Sequence, residues 1–244
     1  MSDLGVYFRP QVTKYVMFLV GRVGSTYLTS LLDSHPNILA LGEELRDLEK
    51  EGAKAQLDWT RDFLNPPLVG RHGARGFNVK HVHIVDPDEF AKLLQQNECK
   101  VLHMSRRNRV KSVISRINGK RLYNKTGMWG LYDENNKLPP LTVDLDEFDE
   151  FLRHREKMDN ELADYVDSLH LETLPLYYED LTTNQSGFLD RVFDFLGVEP
   201  HTVQGSTLKI TSDNLSEALS NFDELRSRYV GTQYEEMFDE VLIP

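Results

Sequence analysis

Cysteine is nearly absent. Cys99 is the single one among 244 residues, so no internal disulfide framework holds the chain and a reducing compartment is expected. Long apolar runs are missing as well. The longest, around residues 15–20, falls far short of the roughly 20 residues that span a bilayer. The N-terminal stretch MSDLGVYFRPQ lacks positive charge ahead of an apolar core, the pattern of a secretory signal. A soluble, cytoplasmic protein is the expectation. No internal repeat and no low-complexity segment is found, which excludes solenoids and repeat arrays.

One further absence is local. Residues 100–125 hold nine Lys or Arg and no Asp or Glu, which leaves nineteen basic against thirty-nine acidic residues in the rest of a chain whose net charge is −11. The overall charge argues against general nucleic-acid binding. A single basic segment in an acidic protein instead suggests a local site for a highly charged anion, although many such runs are only a solvated helix face. Hydrophobic content of 40% and charged content of 27% are those of an ordinary globular protein. The length suits one domain, residues 1–244, elaborated by a lid at about 120–145.

Tyr15–Val20 is a bounded apolar run and reads as a buried strand. Gly21-Arg22-Val23-Gly24-Ser25-Thr26 is then a tight turn, and Tyr27-Leu28-Thr29-Ser30-Leu31-Leu32 has helical spacing. Ile38–Leu41 reads as a second strand ending at Gly42-Glu43-Glu44, followed by a polar surface excursion over 45–72. Gly76–Lys80, continued by His81–Val85, reads as a third strand, and Pro87 opens a helix to Leu94. Lys100–Ser105 is a fourth strand with a helix from Arg107 to Asn118. Tyr123–Leu141 is rich in Gly, Pro and Asn and reads as a lid. A long amphipathic helix follows over 146–169, then a strand at Leu174–Tyr178 and a helix at Phe188–Leu196. Residues 205–220 read as a polar loop entering a helix, and 233–242 as a short terminal helix.

Strands alternating with helices predict an α/β fold, a three-layer sandwich with a central, mainly parallel sheet. Ligands in such folds sit beyond the carboxyl ends of the strands. Those ends carry Arg22, Glu43, Lys80 with His81, Arg106 with Arg107, and Tyr178 with Glu179. The first strand, turn and helix aim backbone N–H groups and a helix dipole at one anion, with Ser25, Thr26 and Arg22 adding donors. The turn is not a nucleotide P-loop, which needs a lysine directly after the second glycine. Ser25 stands there, and Leu19 holds the place of the first glycine. Arg107 and Ser115, eight residues apart, offer a fork and a hydroxyl for a second phosphate.

These motifs resemble the sulfotransferases that use 3′-phosphoadenosine 5′-phosphosulfate (PAPS). Their signature is a strand-loop-helix of the type P-R-S-G-T-T, matched here by Gly21–Thr26, and a strand followed by R-x₇-S, matched by Arg107 to Ser115. Tyr178-Glu179-Asp180-Leu181 looks like the family's Y-E-D-L block, and SHPNILALGE looks most like bacterial carbohydrate sulfotransferases of the nodulation-factor and trehalose type. The resemblance covers roughly 15–240. Gly21 departs from the proline of many members, and Val23 from their Ser, Lys or Gly.

By that resemblance the fold is P-loop-like, and PAPS is the co-substrate with no metal. Arg22, Val23, Gly24, Ser25, Thr26 and Tyr27 would hold the 5′-phosphosulfate, and Arg107 with Ser115 the 3′-phosphate. Lys209 and Ser212 would touch the nucleotide from the C-terminal loop. Arg22 and Lys80 would stabilise charge on the leaving oxygen, and Glu43 would be the general base. His81 or His83 is the other candidate base. Glu43 also reads as a first-turn acid complementing a helix dipole, Arg106 as a solvent-facing neighbour of Arg107, and Tyr178 as core. His81 and His83 would share one face of a strand, without a third ligand for a metal. Met128, Trp129 and Tyr132 could form an apolar platform for a sugar ring. The acceptor would be a hydroxyl compound, with the acidic bulk charge favouring a neutral glycan or glycolipid headgroup over a long polyanion. No nucleic acid and no membrane span are expected. An atypical P-loop kinase and a catalytically silent nucleotide-binding module stay open beside this reading.

Overall fold

The computed structural model describes residues 12–65, 73–129, 131, 133–206 and 211–243. In chain order the elements are β1 (Thr13–Leu19), α1 (Ser25–Asp33), β2 (Ile38–Leu41), α2 (Glu44–Asp47), α3 (Ala53–Leu64), β3 (Ala74–Val79), α4 (Pro87–Gln96), β4 (Lys100–Ser105), α5 (Arg109–Thr126), α6 (Leu145–Ser168), β5 (Thr173–Tyr177), α7 (Tyr178–Thr183), α8 (Gln185–Leu196), α9 (Leu215–Ala218), α10 (Phe222–Arg228) and α11 (Glu235–Asp239). The sheet order is β2-β3-β1-β4-β5 and every pairing is parallel.

Helices cover both faces, so the central strand is apolar on both sides. From β1, Met17 and Leu19 pack toward α1 and α8 with Leu28, Leu31, Phe193 and Leu196. Val16 and Phe18 pack the other way, with Phe77, Phe90, Leu94 and Leu162 from β3, α4 and α6. Phe18 is fully buried, and a side chain of that kind contributes about 1.5–3 kcal/mol by leaving water. A third cluster joins α5 and α6 to the C-terminal helices through Ile114, Phe148, Leu225 and Phe238.

The Tyr15 ring lies across Gly76, its register partner on β3. A Cβ built on Gly76 would stand 2.4 Å from the ring. Gly76→Ala is therefore expected to destabilise the fold by about 1–3 kcal/mol. Gly42→Ala, where a Cβ meets nothing within 4 Å, should stay within about 0.5 kcal/mol of the parent. Denaturant unfolding of both variants checks the contrast.

Three expectations are corrected. The 45–72 excursion contains α3, whose Trp59 and Phe63 stack and meet Phe77 edge-on. Its buried stripe includes Gln56 and Thr60, so an apolar period does not reveal it. Gln56 is satisfied inside: Nε2 donates to Leu45 O and His83 O at 2.7 Å each, and Oε1 accepts from Val85 N at 3.0 Å. Second, His81–His83 is a 3₁₀ turn and not strand. β1 pairs with β3 only as far as Val79, so the chain bonds to itself, His83 N to Lys80 O at 2.9 Å and Ile84 N to His81 O at 3.1 Å. Third, the strand expected to run through Tyr178 ends at Tyr177, and Tyr178 opens the short helix α7.

Candidate functional site

β1 stops at Leu19, and the loop to α1 bends twice in the left-handed region, at Arg22 with φ 70° and Gly24 with φ 79°. Gly24 caps α1 without any side-chain hydrogen bond to the first-turn amides. Those amides are the natural partner of an anion. Gly24 is also required sterically, since a Cβ would stand 2.6 Å from the Tyr178 ring. Ser25 is buried and Thr26 exposed. Val23 is fully buried in the core, so only its backbone faces the loop.

A non-glycine residue with positive φ is sparsely populated, and Arg22 is held there by its guanidinium. Nε donates to Ser115 Oγ at 3.2 Å and Nη1 to Trp129 O at 3.3 Å. The group packs over Gly119, where a Cβ would sit 3.2 Å from Arg22 Cζ. Burial, and then the charge of Arg106, lower the Arg22 pKa from its usual value. Two cations crowded in a desolvated place favour an anion between them.

Two cavities open beside this loop. The first, about 360 Å³, is lined by the loop and Tyr27 on one side and by Arg106, Lys111, Ser115, Tyr178 and Ser212 on the other. The second, about 510 Å³, takes in Glu43, Lys80, His81, Trp129, Phe151 and Met158 among others. Arg22, Ser25 and Thr26 line both. In the second, Glu43 Oε2 lies 2.7 Å from Lys80 Nζ, each side chain about a quarter exposed at 27% and 25%. The Lys80 stem runs past Gly21, where a Cβ would stand 3.4 Å from Cε. The His81 ring packs tilted against Tyr165, with centroids 4.5 Å apart and planes at 32°, and burial lowers its pKa. His83 Nδ1 is 2.9 Å from Glu49 Oε2.

Arg107 is not brought to either cavity. Nη1 and Nη2 donate to both oxygens of Asp180 at 2.6 and 3.0 Å, and Cζ stacks 3.8 Å over the Tyr177 ring. Arg106, expected in solvent, is the buried one, 9% exposed, with Cζ 4.4 Å over Tyr178 and Nε left without a hydrogen bond. Its nearest carboxylate contact is Glu179 Oε1 at 4.0 Å, and burial lowers its pKa. Tyr178, expected in the core, walls the first cavity. Glu179 accepts from the backbone N–H of Arg107 and Asn108, both at 3.1 Å, and so fixes the turn after β4.

Arg106 had a signal in the sequence. Leu102 and Met104 face the α1–α8 side, and a strand's period of two carries that side on to residue 106. Lys111 was not singled out either. It is 3% exposed, and its Nζ meets Asp213 at 2.9 Å and Glu240 at 3.5 Å. Tyr27 donates to Gln185 Oε1 at 2.9 Å. Lys209 and Tyr132 lie outside the described residues. Among the described residues no group of three His, Cys, Asp or Glu is placed to hold a metal, and no helix is long and apolar enough to cross a membrane.

The family model of the sulfotransferase domain matches residues 18–240. Nodulation protein H of Rhizobium tropici is 25% identical over 246 residues, covering 96% of this chain and 96% of that protein. Nodulation protein H of Rhizobium meliloti is 23% identical over 239 residues, covering 92% and 94%. Among solved structures, a sulfotransferase from Alicyclobacillus acidocaldarius aligns with TM-score 0.49 and 15% identity over 95% of this chain and 98% of that one. A mouse sulfotransferase complexed with PAP aligns with TM-score 0.48 and 13% identity over 88% and 67%.

Proposed function

Because the chain belongs to the sulfotransferase family, we propose that it moves a sulfuryl group from PAPS to a hydroxyl of a carbohydrate or glycolipid acceptor. The observation that carries this reading is the pair of cavities sharing the wall Arg22, Ser25 and Thr26. A group-transfer enzyme with two substrates needs such a partition, with the moving group at the common wall and a base on the acceptor side. Nodulation protein H as a relative on each count of coverage supports a carbohydrate-type acceptor.

In this reading the nucleotide occupies the first cavity, and its phosphosulfate lies on the α1 amides, Ser25 and Thr26. The 3′-phosphate lies by Ser115 and Arg106, with Arg107 reaching it from the rim. The acceptor hydroxyl enters from the second cavity. Its oxygen forms a bond to sulfur as the bond from sulfur to the bridging phosphate oxygen breaks, and Glu43 takes the hydroxyl proton. The electron pair stays on the bridging oxygen, which Arg22 and Lys80 stabilise as 3′-phosphoadenosine 5′-phosphate (PAP) leaves. Tyr27 and Ser212 border the nucleotide, and residues about 120–145 cover the acceptor, tied to Arg22 through Trp129 O. One domain and a cytoplasmic setting belong to this proposal; Cys99 is buried with its thiol pushed up to about 12, unsuited to disulfide exchange.

Calorimetric titration without metal tests the donor site. PAP is expected to bind saturably, and ATP and ADP at least about tenfold more weakly, since neither carries a second phosphate for the Ser115 side. Binding of ATP that requires Mg²⁺ and exceeds that of PAP would overturn the proposal.

A further inference from the structure

The second cavity carries a charge that the proposed chemistry does not use. Among the described residues its wall holds five Lys or Arg side chains (Arg22, Arg46, Lys80, Arg116 and Arg155) against one carboxylate, Glu43, in a chain with a net charge of −11. Three of the five are engaged. Arg22 is fixed by Ser115 and Trp129. Lys80 faces Glu43, and Arg155 donates to Asp159 at 2.9 Å and to Gly21 O at 2.8 Å.

The guanidinium groups of Arg46 and Arg116 have neither a hydrogen bond nor an ion pair among the described residues. Arg46 stands on α2, three residues after Glu43, and is exposed at the cavity wall. Arg116 projects from α5, one position past Ser115, on the side away from the first cavity. Its Cζ lies 5.4 Å from the Phe151 ring centre. His154 joins them from α6, one turn after Phe151 on the same face, and it too makes no polar contact. Val113, Trp129, Phe151, Met158 and Leu162 form an apolar stretch of the same wall, beside the polar His81, His83 and Ser112. An apolar stretch beside two unspent guanidinium forks matches an acidic amphiphile.

Resting on the sulfotransferase reading, we infer that the acceptor bears an anionic oxygen group beside its reacting hydroxyl, together with an apolar segment, and that Arg46 and Arg116 select it. The bulk acidity of the chain favours a neutral acceptor, but the cavity reverses that sign locally. The requirement is for one anionic group, which two exposed forks can grip, and not for a long polyanion, which the acidic surface repels.

The test uses octyl β-D-glucuronide and its methyl ester, which differ only in the charge of one group, titrated into the full chain saturated with PAP. Saturation keeps the anion out of the donor cavity. The acid is expected to bind about tenfold more tightly than the ester at low salt, and the advantage should shrink several-fold near 0.5 M salt. In Arg46→Gln/Arg116→Gln the acid should bind as its ester does, with PAP affinity unchanged as proof of folding. Equal binding of acid and ester, binding of neither to protein that takes PAP, or a preference that survives the double substitution would overturn the inference and leave the donor reading standing. Protein that takes no PAP overturns both.

Discussion

Glu43→Gln should lower turnover by about 10²–10⁴-fold while PAP binds as before. Glutamine keeps the size and the acceptor oxygen of the side chain but cannot take a proton. Among the described residues Glu43 is the one carboxylate on the wall of the second cavity, and its Oε2 lies 2.7 Å from Lys80 Nζ. The short ion pair holds the carboxylate on the wall of the second cavity, with the Lys80 stem running past Gly21. In the proposed mechanism the same lysine stabilises charge on the leaving oxygen, which couples proton removal and charge stabilisation through one contact. His81 is the competitor. Its ring lines the same cavity and burial lowers its pKa, favouring the neutral ring that can accept a proton, but its packing against Tyr165 sets its orientation. His81→Asn is expected to lose less than about tenfold. Steady-state sulfate transfer by the two variants decides. Survival of Glu43→Gln together with collapse of His81→Asn would move the base to the imidazole.

Much of this site was legible because local chemistry repeats along the chain. The bounds of β2 and β4 follow from their apolar runs, and the loop after β1 announces itself by its two glycines and an arginine. What was not legible depends on partners far away in sequence. The Arg22 guanidinium is spoken for by Ser115 and Trp129, 93 and 107 residues on, and no local pattern contains that information. The expected strand over His81–Val85 fails because its neighbours end, not because its residues are poor strand formers. α3 was missed for the opposite reason: its buried face includes Gln56, whose amide is satisfied by two carbonyls from other segments. A polar residue inside reads as surface until its partners are seen.

The two arginines after β4 show how one residue of register decides a functional assignment. The family resemblance attaches the 3′-phosphate to Arg107, and the strand period turns Arg106 inward instead. Arg106→Ala is expected to weaken PAP binding roughly 100-fold, equivalent to about 2.8 kcal/mol. The guanidinium is buried with Nε free of any hydrogen bond and only 4.0 Å from the nearest carboxylate oxygen, so a phosphate there meets a donor already stripped of water. Tyr178 under it supplies a cation–π contact that orients the fork without neutralising it. Arg107 starts from the other condition. It is half exposed and holds both oxygens of Asp180, and a phosphate must compete with that bidentate pair. Arg107→Ala should therefore weaken PAP by only about tenfold. Calorimetry on both variants gives the ranking, with Asp180→Asn as the third arm. If Arg107→Ala is the more damaging and Asp180→Asn tightens PAP, donor binding pulls Arg107 off its carboxylate, and the rim pair is then a latch on the donor site. If Arg106→Ala dominates and Asp180→Asn changes nothing, the resident geometry is the binding geometry.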